Sequence, residues 1–298
     1  MKQRNRLTVA VIGASGTPGD KVLARLARNY KVIRLCNSQN MEQNSKNIST
    51  QQCDLFNVDS IISGLQGADL AVFLYPVEFP AVRLSQALLP DMAVLAADSF
   101  ARAVRETRIG KIIYMKPNGW IPSGNPAEVE KALGTSGVPV KTIPLPSSLI
   151  EIPTIFPAST GAVRSIQRVR LPRGKGAKWA AFYYTKWLNR IGSPLIKTEW
   201  HGNFCRVRTV LLSRPLLTLH YSEENSFPGR SIYRIAGGLL AANLAGRLEF
   251  CQLPSSNHCL IAIHEYQPSL PWFVYKYSQA IIHLLVMKLF KRHLERIT

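Results

Sequence analysis

Seven residues near the N-terminus, Gly13-Ala14-Ser15-Gly16-Thr17-Pro18-Gly19, place three glycines at three-residue intervals. Glycine at such positions permits a tight turn, lets backbone approach a bulky anion, and allows a following helix to pack closely on a strand. An anion held there rests on backbone N–H groups at the positive end of a helix. The chemistry implied is the holding of a phosphate or pyrophosphate. Other constellations are thinner. Glu199 and His201 share one face of a strand by the two-residue period, and His264 adjoins Glu265, but strand-borne pairs of this kind more often face solvent than line a site. No spacing of His, Cys, Asp and Glu resembles a metal site, and no Gly-x-Ser-x-Gly nucleophile turn occurs.

The elements that must position the glycines are legible around them. Thr8 to Ile12 is a short apolar run, and Lys21 to Ala27 has helical spacing, so the turn lies between a strand and a helix. A second strand is expected at Lys31 to Leu35, then a polar loop from Asn37 to Gln52. A helix at Asp59 to Leu65, a strand at Ala68 to Tyr75, and a mostly helical stretch from Pro80 to Thr107 follow. Lys111 to Met115 reads as a strand, Pro126 to Thr135 as a helix and Val140 to Leu145 as a last strand. Strands alternating with helices at this interval imply right-handed βαβ units and a parallel, doubly wound sheet.

After Pro153 to Pro157 the pattern changes. Ser165 to Leu171 alternates as a strand and Ala177 to Arg190 is an amphipathic aromatic helix. Strands are expected at Leu195 to His201, Phe204 to Leu211, Leu216 to Tyr221, Ser231 to Ala236, Gly246 to Leu253 and Cys259 to Tyr266. One helix of more than twenty residues, Leu270 to Ile297, closes the chain. Strands followed by a closing helix argue for an α+β second domain. The expected division is residues 1–157 and 158–298.

The 298 residues carry 37 Lys and Arg against 18 Asp and Glu, a formal charge of +19. Residues 1–155 hold 17 basic and 12 acidic groups, whereas residues 156–298 hold 20 and 6, so the surplus is concentrated in the second half. Such a field favours an anionic small ligand, an anionic membrane surface or a nucleic acid. Nucleic acid is a poor candidate, because Arg164, Arg168, Arg170, Arg173, Lys175 and Lys178 accompany no recognition-helix or zinc-finger signature. The last helix is apolar around most of its circumference, with Val274, Tyr277, Ile281 and Leu285 on one side, so it is expected to pack into the core or grip a ligand, with membrane or partner contact as the alternative. Lys288, Lys291, Arg292 and Arg296 at its end would suit anionic headgroups or complement a helix C-terminus. Five cysteines without a C-x-x-C pair, and an N-terminal apolar run that stops at Gly13, point to reduced thiols in a cytoplasmic protein, at most peripheral to a membrane.

Val11-Ile12-Gly13-Ala14-Ser15-Gly16-Thr17-Pro18-Gly19 resembles the glycine motif of atypical short-chain dehydrogenase/reductases, the group that includes NmrA-like regulators. Cys53-Asp54-Leu55 and Gly67-Ala68-Asp69-Leu70-Ala71-Val72-Phe73 are similar to two further segments of that family. Ser136-Gly137-Val138-Pro139-Val140 is similar to its turn before the last strand. The resemblance implies an NAD(P)-binding Rossmann domain. By it, Gly13, Ser15, Gly16, Thr17 and Gly19 would cradle the pyrophosphate, Asp54 and Leu55 would flank the adenine, and Tyr75-Pro76 would lie beside the nicotinamide ribose. The second strand ends in Cys36-Asn37-Ser38, with no acid to hold a ribose 2′-hydroxyl. NADP is therefore favoured over NAD, with Asn37 where many relatives place an arginine. In the second half, Gly246 to Phe250, Ile261 to Pro268 and Tyr275 to Phe290 resemble the START-like helix-grip fold and the C-terminal domain of some bacterial sugar-epimerase-like proteins. That resemblance implies an apolar ligand cavity between helix and sheet.

One departure bears on activity. Enzymes of this family use a Tyr-x-x-x-Lys pair, whose lysine lowers the phenol pKa so that tyrosine can act as general acid. None of the ten tyrosines has lysine four residues later. The strand that usually ends in serine gives Met115-Lys116-Pro117, leaving Lys116 as a weak substitute. Cofactor binding without standard turnover is the leading expectation. A reductase or epimerase-like enzyme with an unconventional proton donor, and a cofactor-sensing regulator, are the alternatives.

Overall fold

The computed structural model describes residues 6–14, 16–36, 45–75, 79, 82–117, 125–145 and 161–298. The chain divides into two compact units, Met1–Ala81 with Met92–Phe156, and Val82–Asp91 with Pro157–Thr298.

The first unit begins with β1 (Thr8–Ile12), α1 (Gly16–Leu26), β2 (Lys31–Cys36), β3 (Ile48–Gln52), α2 (Val58–Leu65) and β4 (Leu70–Leu74). The chain then runs through β5 (Leu84–Gln86), which pairs in the second unit, into α3 (Leu89–Arg105), β6 (Ile112–Pro117), α4 (Pro126–Gly134) and β7 (Val140–Leu145). Six strands form a parallel sheet in the order β3-β2-β1-β4-β6-β7. The order reverses direction at β1, which is the doubly wound arrangement expected. The central strands are buried on both faces, so they read as unbroken apolar runs. Val22 and Leu23 of α1 pack against Val9, Val11, Val72 and Leu74. Full burial stabilises each such side chain by roughly 1.5–3 kcal/mol. The helix starts are set by side chains. Asn57 accepts from the N–H groups of Asp59 and Ser60 ahead of α2, and Asn125 accepts from Glu128 N–H ahead of α4, where Pro126 takes the first position.

The second unit contains β8 (Val163–Arg170), α5 (Ala177–Gly192), β9 (Ile196–His201), β10 (Phe204–Thr209), β11 (Leu217–Tyr221), β12 (Arg230–Gly237), β13 (Arg247–Gln252) and β14 (His258–Tyr266), then α6 (Trp272–Tyr277) and α7 (Gln279–Arg296). The sheet order is β5-β8-β14-β13-β12-β11-β10-β9, antiparallel except that β5 runs parallel to β8. Tyr184 and Trp187 of α5 and Phe290 of α7 meet Phe250 and Tyr233 of the sheet in one aromatic core. An antiparallel sheet with a long C-terminal helix is as expected.

Two expectations are corrected. The polar loop expected over Asn37 to Gln52 contains β3. It is an edge strand that satisfies one side of its backbone against β2, and only Thr50 of its five residues is buried, so it carries no apolar alternation. The mostly helical stretch from Pro80 to Thr107 holds α3 as expected, with β5 ahead of it pairing with Val163–Ser165, a three-residue strand that has no period to detect. The single final helix is broken at Ser278, where φ is −127° and ψ −82°. There the Ser278 hydroxyl donates back to the Val274 carbonyl, and Gln279 Nε2 donates to Tyr266 Oη at 2.6 Å, which turns α7 onto the sheet.

Candidate dinucleotide site

The turn between β1 and α1 is built around close backbone approaches. Gly13 has φ +81°, and a Cβ there would run into the carbonyl oxygen of Leu74 at the end of the neighbouring strand β4. Both facts exclude other residues. A Cβ on Gly19 would fall 2.5 Å from the backbone carbon of Ala14, so only glycine lets α1 close on the turn. The first turn of α1 has no acidic residue, and the nearest one, Asp20, pairs with Arg34 of β2 at 3.5 Å. Nothing there opposes an anion at the helix start.

The structure brings the sequence-predicted residues that it describes to one edge of the parallel sheet, the carboxyl ends of the strands. Gly13 follows β1, Gly16 and Thr17 open α1, and Gly19 closes its first turn. Asp54 and Leu55 follow β3, whose next residue Cys53 donates its N–H to Cys36 O at 2.8 Å. Tyr75 follows β4, and its N–H donates to Met115 O of β6 at 2.9 Å. Ligands of open α/β sheets bind in the crevice at this edge, where the strand order reverses. Ser15, Asn37 and Pro76 lie outside the described residues.

Individual side chains are more constrained than the motif suggested. The Asp54 carboxylate accepts from Phe56 N–H at 3.0 Å, and Asp54 N–H donates to Ser60 Oγ at 3.0 Å. This closes the turn into α2. Leu55 is buried beside Phe56. Tyr75 is also buried, which raises its phenol pKa above the ordinary value. Burial raises the phenol of Tyr114 much further, with smaller contributions from Tyr75 and Glu130, and its hydroxyl donates to Pro126 O at 3.2 Å. Neither phenol is tuned toward proton donation near neutral pH.

Lys116, at the end of β6, pairs with Glu130 of α4 at 2.9 Å. Thr142 of β7 donates to the other carboxylate oxygen at 2.6 Å. The Thr142 hydrogen bond first, and Lys116 second, hold the Glu130 carboxyl below its usual range. Glu130 thus ties α4 to both β6 and β7, a role that sequence reasoning missed because no motif marks it.

In the second unit Glu199 and His201 lie on the exposed face of β9. Glu265 sits at a bulge with φ +54° and ion-pairs with Arg247, so it does not form an acid and base pair with His264, which is buried. A cavity of about 320 Å³ is lined by Arg170, Arg173, Glu295 and Thr298. The Phe290 ring lies 5.1 Å from that of Tyr184 and 4.9 Å from that of Trp187, and the three pack in the core of helices and sheet.

Strand order and glycine turn together define a Rossmann-type α/β unit. No family model matches the chain. It is 26% identical over 233 residues to the auxiliary protein GraX of Staphylococcus aureus (strain NCTC 8325 / PS 47), covering 77% of this chain and 74% of that one. Solved structures with a similar region include a nucleoside-diphosphate-sugar epimerase from Staphylococcus aureus (18% identity, 46% of this chain and 49% of that one, TM-score 0.36). Others are an NADPH-dependent quinone oxidoreductase from Escherichia coli (17%, 45% and 46%, 0.35) and the Bordetella bronchiseptica enzyme WbmH in complex with NAD+ (14%, 47% and 56%, 0.34). The chain spans less than two thirds of the length of each of these structures.

Proposed function

We propose that the first unit binds a nicotinamide dinucleotide, NADPH in preference to NADH, and that the protein uses it as a bound ligand without turning it over as an ordinary reductase. The observation that carries this reading is the turn at Gly13 and Gly19, where two close backbone approaches set an acid-free helix start at the carboxyl edge of the sheet. Backbone N–H groups from Gly13 to Thr17 would hold the pyrophosphate, and Asp54, Leu55 and Tyr75-Pro76 would border the adenine and the nicotinamide ribose. The second strand ends at Cys36 without a carboxylate to reject a 2′-phosphate, which favours NADPH. Calorimetry should show NADPH binding more tightly than NADH. Gly16→Asp, which adds a carboxylate at the start of α1, should abolish binding of both while leaving the far-UV circular dichroism intact. If neither nucleotide binds the wild type at millimolar concentration, the reading is wrong.

The bound dinucleotide would supply a hydride, but the described residues offer no tuned proton donor beside it. Lys116 is engaged by Glu130, and Tyr75 and Tyr114 carry raised pKa values. Purified protein should therefore oxidise NADPH with generic carbonyl substrates no faster than buffer. Lys116→Ala should lower the melting temperature by a few degrees without changing that rate. Robust turnover lost in Lys116→Ala would replace this reading with that of a reductase.

A regulatory use of the nucleotide is the second reading, favoured by the similarity to a protein described as auxiliary. An apolar ligand in the second unit would lie against the packed rings of Tyr184, Trp187 and Phe290.

A further inference from the structure

The two closing helices present an apolar surface to solvent. Tyr275, Ala280, Met287, Phe290 and Leu294 face the core. On the opposite side Phe273 is 73% exposed and Tyr277 59%, and Ile281, Ile282 and Leu285 are each more than half exposed. Ile281, Leu285 and Leu289 follow one another at four-residue spacing, so the surface is a continuous stripe extended by the rings of Phe273 and Tyr277, whose centroids are 4.9 Å apart. Scattered single apolar residues need no explanation, whereas a contiguous stripe marks an interaction surface.

Charge decides what the stripe meets. Exposed Lys276 lies beside it, and Lys288, Arg292 and Arg296 continue the same face at four-residue spacing, with Lys291 next to them. Between Glu265 and Glu295 the chain has no acidic residue. A second copy of this surface would bring apolar side chains but only one counter-charge, Glu295, against Lys276, Lys288, Lys291, Arg292 and Arg296, and would set most of its cations against like charges. An anionic bilayer supplies hydrocarbon for the stripe and phosphate for the cations. No helix among the described residues is long and apolar enough to cross a membrane, so α6 and α7 would lie in the interface plane.

We propose that the exposed face of α6 and α7 docks the protein on the surface of an anionic lipid bilayer. The inference is independent of nucleotide binding. The test uses the full-length protein, sedimented with phosphatidylglycerol-containing vesicles and, separately, with pure phosphatidylcholine vesicles. The expected result is binding to the first and not the second, fading as salt rises from about 0.01 M to about 0.15 M, over which the Debye length falls from ~30 Å to ~8 Å. Ile281→Asp with Leu285→Asp should weaken vesicle binding at least tenfold. Lys288→Glu with Arg292→Glu, at solvent-exposed positions that leave the core intact, should do the same with an unchanged melting temperature. Equal sedimentation with neutral vesicles, or binding indifferent to both double variants, would overturn the proposal. So would a homodimer in solution that dissociates in the Ile281→Asp, Leu285→Asp variant without vesicle binding by the wild type.

Discussion

Glu249→Ala should lower the unfolding free energy of the second unit by about 3–5 kcal/mol, the usual effect of leaving a buried charge without its partner. Glu249 is fully buried on β13, and Arg230, 2% exposed, approaches its carboxylate at 2.7 Å from the neighbouring strand β12. The register makes the arrangement more demanding than one pair. Alternation along β13 puts Arg247, Glu249 and Cys251 on the face away from the aromatic core, and across β14 Arg247 stands opposite His264. Arg247, Arg164 and Arg230 all act on that histidine. Glu249 is a buried carboxylate set among buried guanidinium groups, so its loss leaves several positive charges in a poorly solvated layer. Glu249→Gln keeps the shape and removes only the charge, and should be nearly as damaging. Arg230→Met combined with Glu249→Leu removes both members of the pair and should recover most of the loss. Urea titration of the four proteins, with slopes compared so that stability changes are separated from changes in the unfolded state, decides the matter. A loss below about 1 kcal/mol in Glu249→Ala would show the pair to be solvated and unimportant.

These charges illustrate what the sequence conceals. Arg164, Arg168, Arg230 and Arg247 have the composition of a solvated basic surface, and nothing local distinguishes them from the exposed Lys288 or Arg292. The burial of Arg164, Arg230 and Arg247 follows from the sheet register, which pairs residues distant in the chain, and half-buried Arg168 finds Asp91 of α3 at 2.7 Å across 77 positions. Strands β1 and β4 were legible because every residue after the first in each is buried, so the apolar run is the signal. β3 was not, since an edge strand of mostly polar side chains is held by backbone bonds that composition does not encode. The candidate site divides in the same way. Gly13 and Gly19 announced themselves because the geometry admits no other residue, and a residue type forced by backbone geometry survives as a motif. Glu130, which engages Lys116 from another element, left no mark, because any acid reaching that lysine would serve. The break at Ser278 was hidden by the helical spacing on either side of it.

Lowering the pH from 7 to 5 should destabilise the second unit, and two histidines set the sign. His264 is buried among Arg247, Arg164 and Arg230; burial first and those charges second hold its pKa well below the ordinary histidine value. His283 of α7 packs over β8 with Nε2 3.1 Å from Ser165 Oγ, and burial lowers its pKa to about 4. Both are neutral in the folded protein near pH 7. In the unfolded chain each takes up a proton as pH falls through about 6.5, while the folded state does not follow until much lower pH. The unfolded state then binds more protons, so stability is present above about pH 6.5 and is lost as pH falls toward 4. By pH 5 the His283 term alone amounts to about 2 kcal/mol, and His264 adds to it. Carboxylates complicate the range below about 4.5, so the informative window is pH 7 to 5. Denaturant titrations across that window should show a falling unfolding free energy, and His283→Gln, which cannot take up a proton, should flatten the slope by its share. An unfolding free energy that stays level from pH 7 to 5 would mean that both histidines reach solvent and protonate in the folded state, so that α7 does not seal the sheet over Ser165.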